Sequence, residues 1–200
     1  MFGTTVRAIL IFTLSLACAV SVQAQDARTK AATCAACHGP DGNSVNPDWP
    51  NLAGQHGDYI VAQLKLFKSG ERKNASMNAM GAPLSELDMA DVAAYFSSQS
   101  LKVASVDAAA AAPGGLVYHG GNKVTGVPAC MACHGPNGAG NPAARYPSLR
   151  GQHAKYTTTQ LLAYKNNERA AGQASVMTAI AARLTKQEIE QLAIYLEGLH

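Results

Sequence analysis

The sequence contains one pattern of cysteines, histidines, glycines and prolines twice, at separations of about 96 to 100 residues. Residues 34–42 read CAACHGPDG, and residues 130–138 read CMACHGPNG. Residues 50–59 read PNLAGQHGDY, and residues 147–156 read PSLRGQHAKY. Because the matching segments keep their order and nearly their spacing, the sequence predicts two copies of one structural unit.

The region between the two copies predicts how the chain divides into domains. Residues 97–115 include five consecutive alanines followed by Pro-Gly-Gly, a composition typical of a linker. We therefore predict an N-terminal domain over 25–105, a linker over 106–115 and a C-terminal domain over 116–200. A unit of about 80 residues buries little apolar surface, so a large apolar group held inside each unit would complete its core.

Apolar residues at helical spacing predict a helix at the end of each half. In the first half they follow Ser85, and in the second they follow Thr185, with Glu188 three residues later as a capping box. A second helix is predicted to begin near His56 and near His153. Alternation with a period of two is nearly absent, so the predicted fold class is all-α.

The N-terminal segment predicts export of the protein. Residues 1–24 combine one basic residue, an apolar stretch over 8–20 and a Val-Gln-Ala ending, which fits a secretory signal cleaved after Ala24. The apolar stretch is too short to span a bilayer comfortably. Lipid attachment at Cys18 is an alternative, but Ser15 stands where a lipoprotein signal has leucine. The mature protein is therefore predicted to be soluble.

The two Cys-x-x-Cys-His motifs carry the most specific chemistry of the sequence. In such a motif the two cysteines can bond to the two vinyl groups of one haem, while the adjoining histidine reaches the iron. A redox disulfide or half of a zinc site is the alternative for an isolated pair of cysteines. Two complete motifs in repeat register favour two covalently bound haem c groups. The predicted attachment residues are Cys34, Cys37, Cys130 and Cys133, and the predicted iron ligands within the motifs are His38 and His134.

A methionine in each repeat is the predicted second ligand of each iron. Met77 and Met177 occupy the same repeat position, seven residues before a leucine, whereas Met80 corresponds to an isoleucine. Thioether ligation raises the haem potential relative to ligation by two histidines. His56 and His153 also repeat, and bis-histidine ligation through them is the alternative. Filled axial positions leave no vacancy for a substrate, which favours a carrier over an enzyme.

Two other repeated features predict contacts close to the haems. Pro50 and Pro147 follow the motif histidines by twelve and thirteen residues. They resemble the Pro-x-Leu-x-Gly stretch of small class I c-type cytochromes, in which the proline carbonyl accepts the histidine N–H; a plain loop turn is the alternative. Arg72 and Arg169 could pair with haem propionates, or they could be solvated charges at helix ends.

The mature chain as a whole resembles the cytochrome c4 family, the dihaem cytochromes of bacterial periplasms. The resemblance rests on LAGQ at 52–55, AAYFSSQ at 93–99, PAC at 128–130 and GQHA at 151–154. It implies two class I cytochrome c folds with their haems facing each other across the domain interface. It also implies a periplasmic location and electron transfer from a quinol-oxidising complex or similar donor to a terminal oxidase or similar acceptor.

Two alternatives remain open at the level of the sequence. The dihaem subunit of a flavocytochrome c sulfide dehydrogenase has the same architecture and is also an electron-transfer protein. A dihaem peroxidase-like enzyme belongs to another class, and it would need a vacant or displaceable iron ligand. The matching methionines argue against such a vacancy.

The two halves carry charges of opposite sign. Residues 25–112 hold seven basic and nine acidic side chains, and residues 113–200 hold eight and four. No run of basic and aromatic residues indicates nucleic-acid binding. The separation of charge would orient the protein towards redox partner proteins, with Arg145, Arg150 and Lys155 as the predicted docking residues for an acidic partner. Peripheral association with the membrane stays an open alternative.

Overall fold

The computed structural model describes residues 26–200, and they form short helices connected by loops. The predicted signal segment 1–24, including Cys18, lies outside these residues. In the described part of the chain, pairing of extended backbone is limited to two isolated bridges, and none of its helices is long and apolar enough to cross a bilayer. The helices are α1 (26–38), α2 (Gly57–Ser69), α3 (Ala75–Gly81), α4 (Glu86–Ser97), α5 (Ala108–Gly120), α6 (Met131–His134), α7 (Ala154–Lys165), α8 (Ala174–Ala181) and α9 (Lys186–Gly198).

The helix starts predicted from the sequence are confirmed. The Ser85 side chain caps α4 and forms a reciprocal capping box with Asp88. Thr185 and Glu188 form the equivalent box at α9. In each box the hydroxyl accepts a free N–H of the first helical turn and the carboxylate accepts the N–H of the cap residue, which fixes the start of the helix. Helices α2 and α7 begin directly after the two repeated histidines.

Each half has a hydrophobic core of its own. In the first half, residues of α4, among them the fully buried Phe96 and Met89, pack against Ile60 and Leu64 of α2. In the second half, residues of α5, among them the fully buried Tyr118, pack against residues of α9, among them Ile189. The all-α prediction of two tandem units is thereby confirmed.

The segment predicted to be a linker, 106–115, is mostly helical in the structure. Residues Ala108–Gly120 form α5, capped by the Asp107 side chain, which accepts the N–H of Ala110. Alanine has the highest intrinsic helix propensity, so a run of alanines extends a helix from a good cap. Gly114 lets α5 approach α9 closely, because a Cβ there would lie 2.1 Å from the carbonyl oxygen of Gln191. Most of 106–115 therefore belongs to helix α5 of the second half, and Gly114 is buried where α5 meets α9.

The backbone that precedes the Cys-x-x-Cys-His motif differs between the two halves. In the first half the motif occupies the last turn of the continuous helix α1. In the second half α5 ends at Gly120, and the next residue, Gly121, has a positive φ of 66°. A short loop closed by the pairing of Asn122 with Val127 then precedes α6. Pro128 lies in this loop, where it keeps the chain from continuing as a helix into the motif.

Reciprocal hydrogen bonds join the two halves. Asn51 donates from its backbone N–H to Gln152 Oε1 over 2.9 Å, and Gln152 Nε2 donates back to the Asn51 carbonyl over 3.0 Å. The Asn51 side chain donates to the Gly151 carbonyl. Gln55 and Ser148 exchange a second pair of bonds, of 2.9 and 3.0 Å. Corresponding segments of the repeat therefore meet across an approximate two-fold axis, directly after Pro50 in one half and Pro147 in the other.

Two candidate haem sites

The first candidate site is built on the end of α1. Cys37 and His38 follow Cys34 by three and four residues, so both lie on the side of the helix that carries Cys34. Cys34 packs against the first core, Cys37 is exposed and the His38 ring is buried. Gly39 ends the helix with a φ of 79°, a conformation in which a Cβ would lie 2.3 Å from the Asn43 carbonyl oxygen.

The second candidate site repeats this arrangement. Cys130 packs against the second core, Cys133 is exposed and His134 is buried at the end of α6. The backbone N–H of Gly135 closes the turn on the carbonyl of Met131. The motif residues of the second half therefore have the same pattern of exposure as those of the first: one cysteine against the core, one exposed, and a buried histidine.

Each motif histidine is held by a proline carbonyl. His38 Nδ1 lies 2.9 Å from the Pro50 carbonyl oxygen, and His134 Nδ1 lies 3.0 Å from that of Pro147. Since a carbonyl only accepts, Nδ1 carries the proton and donates it, which leaves the lone pair of Nε2 available for a metal. Burial lowers the pKa of both imidazoles, although the proline carbonyls oppose the shift, so both rings are neutral at pH 7. The predicted proline contact is confirmed in both halves.

The methionines differ in their surroundings. Met77, on α3, is half-buried and packs against the first core together with Cys34. Met177, at the corresponding place on α8, is also half-buried. Met80 is 39 % exposed, whereas Met89 is 1 % exposed inside the core of α4. A half-buried thioether suits an iron ligand better than a solvated or fully enclosed one.

The available donor groups fit a haem better than a zinc ion. Among residues 26–200 no group of three or more His, Cys, Asp or Glu side chains is placed to hold a metal. Burial raises the pKa of the Cys130 thiol to about 11 and also raises that of Cys34. Two cysteines next to one neutral histidine in each half match covalent attachment of a haem.

His56 and His153 have their ring nitrogens engaged across the domain interface. His56 Nε2 lies 2.8 Å from the Ala139 carbonyl oxygen, and His153 Nε2 lies 2.9 Å from that of Ser44. Each ring therefore reaches the loop that follows the motif of the other half. From the sequence, these two histidines were predicted either to ligate iron or to stand at the start of a helix. Their contacts between the two halves were not predicted. The repeated Gly-Gln-His segment was the one sign in the sequence that the two residues share a role.

Comparison with known proteins agrees with this geometry. The Cytochrome c family model matches residues 25–100 and 120–200. Cytochrome c4 of Thiocapsa roseopersicina is 46 % identical, over 83 % of this chain and 86 % of the relative. The crystal structure of reduced recombinant cytochrome c4 from Pseudomonas stutzeri is 43 % identical, with a TM-score of 0.84, and the match covers 88 % of this chain and 98 % of that one. The thiosulfate dehydrogenase electron acceptor of Thiomonas intermedia is 38 % identical, over 84 % of this chain and 78 % of the relative.

Two tandem helical domains, each with a Cys-x-x-Cys-His motif and a carbonyl-held histidine, define a two-domain c-type cytochrome. The matches to cytochrome c4 in sequence and in structure cover more than four fifths of the chain, so they identify the family within this class. The chain belongs to the cytochrome c4 family. It is a dihaem electron-transfer protein, and its two cysteine pairs fit two covalently bound haems.

Proposed function

We propose that this chain is a periplasmic electron carrier in which both irons have filled axial positions. His38 and Met77 would ligate the first iron, and His134 and Met177 the second. Four attachment cysteines, two in each motif, would hold the haems. The observation that carries the proposal is the anchoring of each motif histidine by a proline carbonyl, which presents Nε2 to the iron. The predicted secretory signal supports the periplasmic location.

The domain interface supports electron transfer between the two haems. The segments that meet across the interface directly follow the prolines that hold the iron ligands, so the two sites lie on either side of one hydrogen-bonded contact. Neutral imidazole and thioether ligands do not exchange protons at pH 7. The chain can therefore take up an electron at one site and release it at the other without a coupled protonation of an iron ligand.

The proposed acceptor is a terminal oxidase, and the proposed donor is a quinol-oxidising complex. Similarity to the thiosulfate dehydrogenase electron acceptor of Thiomonas intermedia favours a second candidate, in which a thiosulfate-oxidising enzyme is the donor. The two candidates differ only in the source of the electrons. Reduction of the purified protein by quinol-oxidising membranes, or by thiosulfate with its dehydrogenase, distinguishes them.

Of the three basic residues predicted from the sequence to dock an acidic partner, one is paired within the protein. Lys155 Nζ lies 2.9 Å from an Asp48 carboxylate oxygen of the other half, so its charge is partly neutralised within the protein. Arg145 and Arg150 are exposed on the second half. We therefore assign the docking of an acidic partner to these two arginines.

Arg150→Glu is expected to slow electron transfer to the acceptor severalfold at low salt and little at high salt, because salt screens exposed charges. Stopped-flow reoxidation of the reduced protein by oxidase-containing bacterial membranes, across a salt series, measures this. Lys73→Glu is the matched control, since it makes the same change of charge on an exposed residue of the first half. Equal rates for wild type and Arg150→Glu at low salt would contradict the docking proposal.

A further inference from the structure

Arg72 and Arg169 occupy matching positions in the two halves, and both are only 8 % exposed. Solvated charges at helix ends, one of the two roles considered from the sequence, are therefore excluded. Each guanidinium also lies over an aromatic ring of its own half, 4.5 Å from the centroid of Phe67 for Arg72 and 4.7 Å from that of Tyr164 for Arg169. The two side chains are part of the buried interface.

Both guanidinium groups cross from one half to the other. Arg72 donates to Gln63 Oε1 of its own half over 2.7 Å, and to the Tyr156 hydroxyl and Gln160 Oε1 of the other half over 3.0 and 2.9 Å. Arg169 repeats the pattern with Gln160, Tyr59 and Gln63, over 2.7, 2.8 and 3.0 Å. The two arginines therefore share the oxygens of the same two glutamines, and their charges lie side by side.

The partners of this arginine pair within the described residues are neutral. The ion pairs formed by residues 26–200 involve lysines and His153, and none includes Arg72 or Arg169. Burying one charge without an opposite charge is costly, and two adjacent like charges add repulsion. The positive field also acts on Tyr156: burial would raise its pKa, but Arg72 and Arg169 lower it below the ordinary value. An anion bound close to the two guanidinium groups would offset both the cost of burial and the repulsion.

Backbone contacts link each arginine to the helix that carries a candidate iron ligand. Asn78 Nδ2, next to Met77, donates to the Arg72 carbonyl over 2.9 Å. Thr178 Oγ1, next to Met177, donates to the Arg169 carbonyl over 3.4 Å. The arginine pair is therefore tied to α3 and to α8, the helices that carry Met77 and Met177.

We propose that Arg72 and Arg169 form one shared cationic cluster that binds haem carboxylates at the domain interface and raises the reduction potentials of both haems. A planar guanidinium suits a carboxylate because it can donate two parallel hydrogen bonds. Positive charge close to an iron stabilises the reduced state, which carries one positive charge fewer than the oxidised state. Because each guanidinium contacts both halves, each arginine acts on both haems.

The test is a spectroelectrochemical titration of the dihaem protein and its variants. Arg72→Gln and Arg169→Gln are each expected to lower both potentials, and Arg72→Lys is expected to restore most of the loss because it keeps the charge. Arg183→Gln is the control, since it removes an exposed guanidinium that donates to the Gly126 carbonyl, and it should leave both potentials unchanged. Haem content and circular dichroism establish that each variant is folded, and the two Gln variants give independent readings from the two halves.

Three outcomes would overturn the proposal. Unchanged potentials in both Gln variants would exclude an electrostatic role. A shift confined to the haem of the half that carries the substitution would exclude a shared cluster. Potentials of the wild type that move with added acetate, together with loss of that response in Arg72→Gln, would assign the site to an anion from solution rather than to haem carboxylates.

Discussion

Cys34→Ala combined with Cys37→Ala is expected to leave the first half largely unfolded while the second half keeps its haem spectrum. The first core is small, and Cys34, Leu52 and Met77 lie at its edge, on the side of the haem site. A unit of about 80 residues without its haem buries too little apolar surface to offset the entropy of ordering the chain. The second half has a separate core in which α5 packs on α9, and that core does not depend on the first haem.

The expected result has three observable parts. Haem content falls from two to one per chain, helical circular dichroism falls by roughly the share of the first half, and limited proteolysis removes residues 26–100. The matched variant, Cys130→Ala with Cys133→Ala, should instead unfold the second half and leave the first half with its haem. Native-like resistance of the haem-free first half to proteolysis would contradict the account.

Met77→His is expected to lower one reduction potential by about 0.2 V, within the ~0.8 V range that axial ligands span, and to leave the other nearly unchanged. Imidazole stabilises ferric iron more than a thioether does. The side chain is half-buried against the first core, so the substitution exchanges the ligand without opening a large cavity. Redox titration measures both potentials, and the iron–thioether charge-transfer band of the oxidised protein should fall by about half.

Two further substitutions test the assignment of the methionines. Met177→His should lower the other potential by a similar amount. Met80→His is the control, because the Met80 side chain is 39 % exposed and should leave both potentials unchanged. If Met80→His removed a charge-transfer band and Met77→His did not, the alignment of the two repeats would be wrong.

Local chemistry made much of the fold predictable from the sequence. The capping residues Ser85 and Thr185, each with a carboxylate three residues later, define where α4 and α9 begin. The contacts of Pro50 and Pro147 with the motif histidines were expected from the resemblance of these segments to the Pro-x-Leu-x-Gly stretch of small class I c-type cytochromes. Such features depend on neighbouring residues, so their physics is visible in a linear pattern.

The domain interface depends on distant residues and was not predictable in this way. His56 and His153 were weighed as iron ligands, yet each bonds a carbonyl more than 80 positions away in the chain. For Arg72 and Arg169 the sequence offered propionate pairing or a solvated charge, and it did not indicate that both guanidinium groups bond across the interface. The alanine run was misinterpreted because its composition suits a linker, while its cap and its close contact with α9 make it a helix.

We propose that both irons have two protein ligands and that the protein transfers electrons without binding a substrate. The most direct measurement is the Soret spectrum of the fully reduced protein before and after addition of carbon monoxide. We expect an unchanged spectrum, because histidine and methionine would fill the axial positions of both irons. A shift of the Soret band of one or both haems would show an open iron and favour a peroxidase-like enzyme or a sensor.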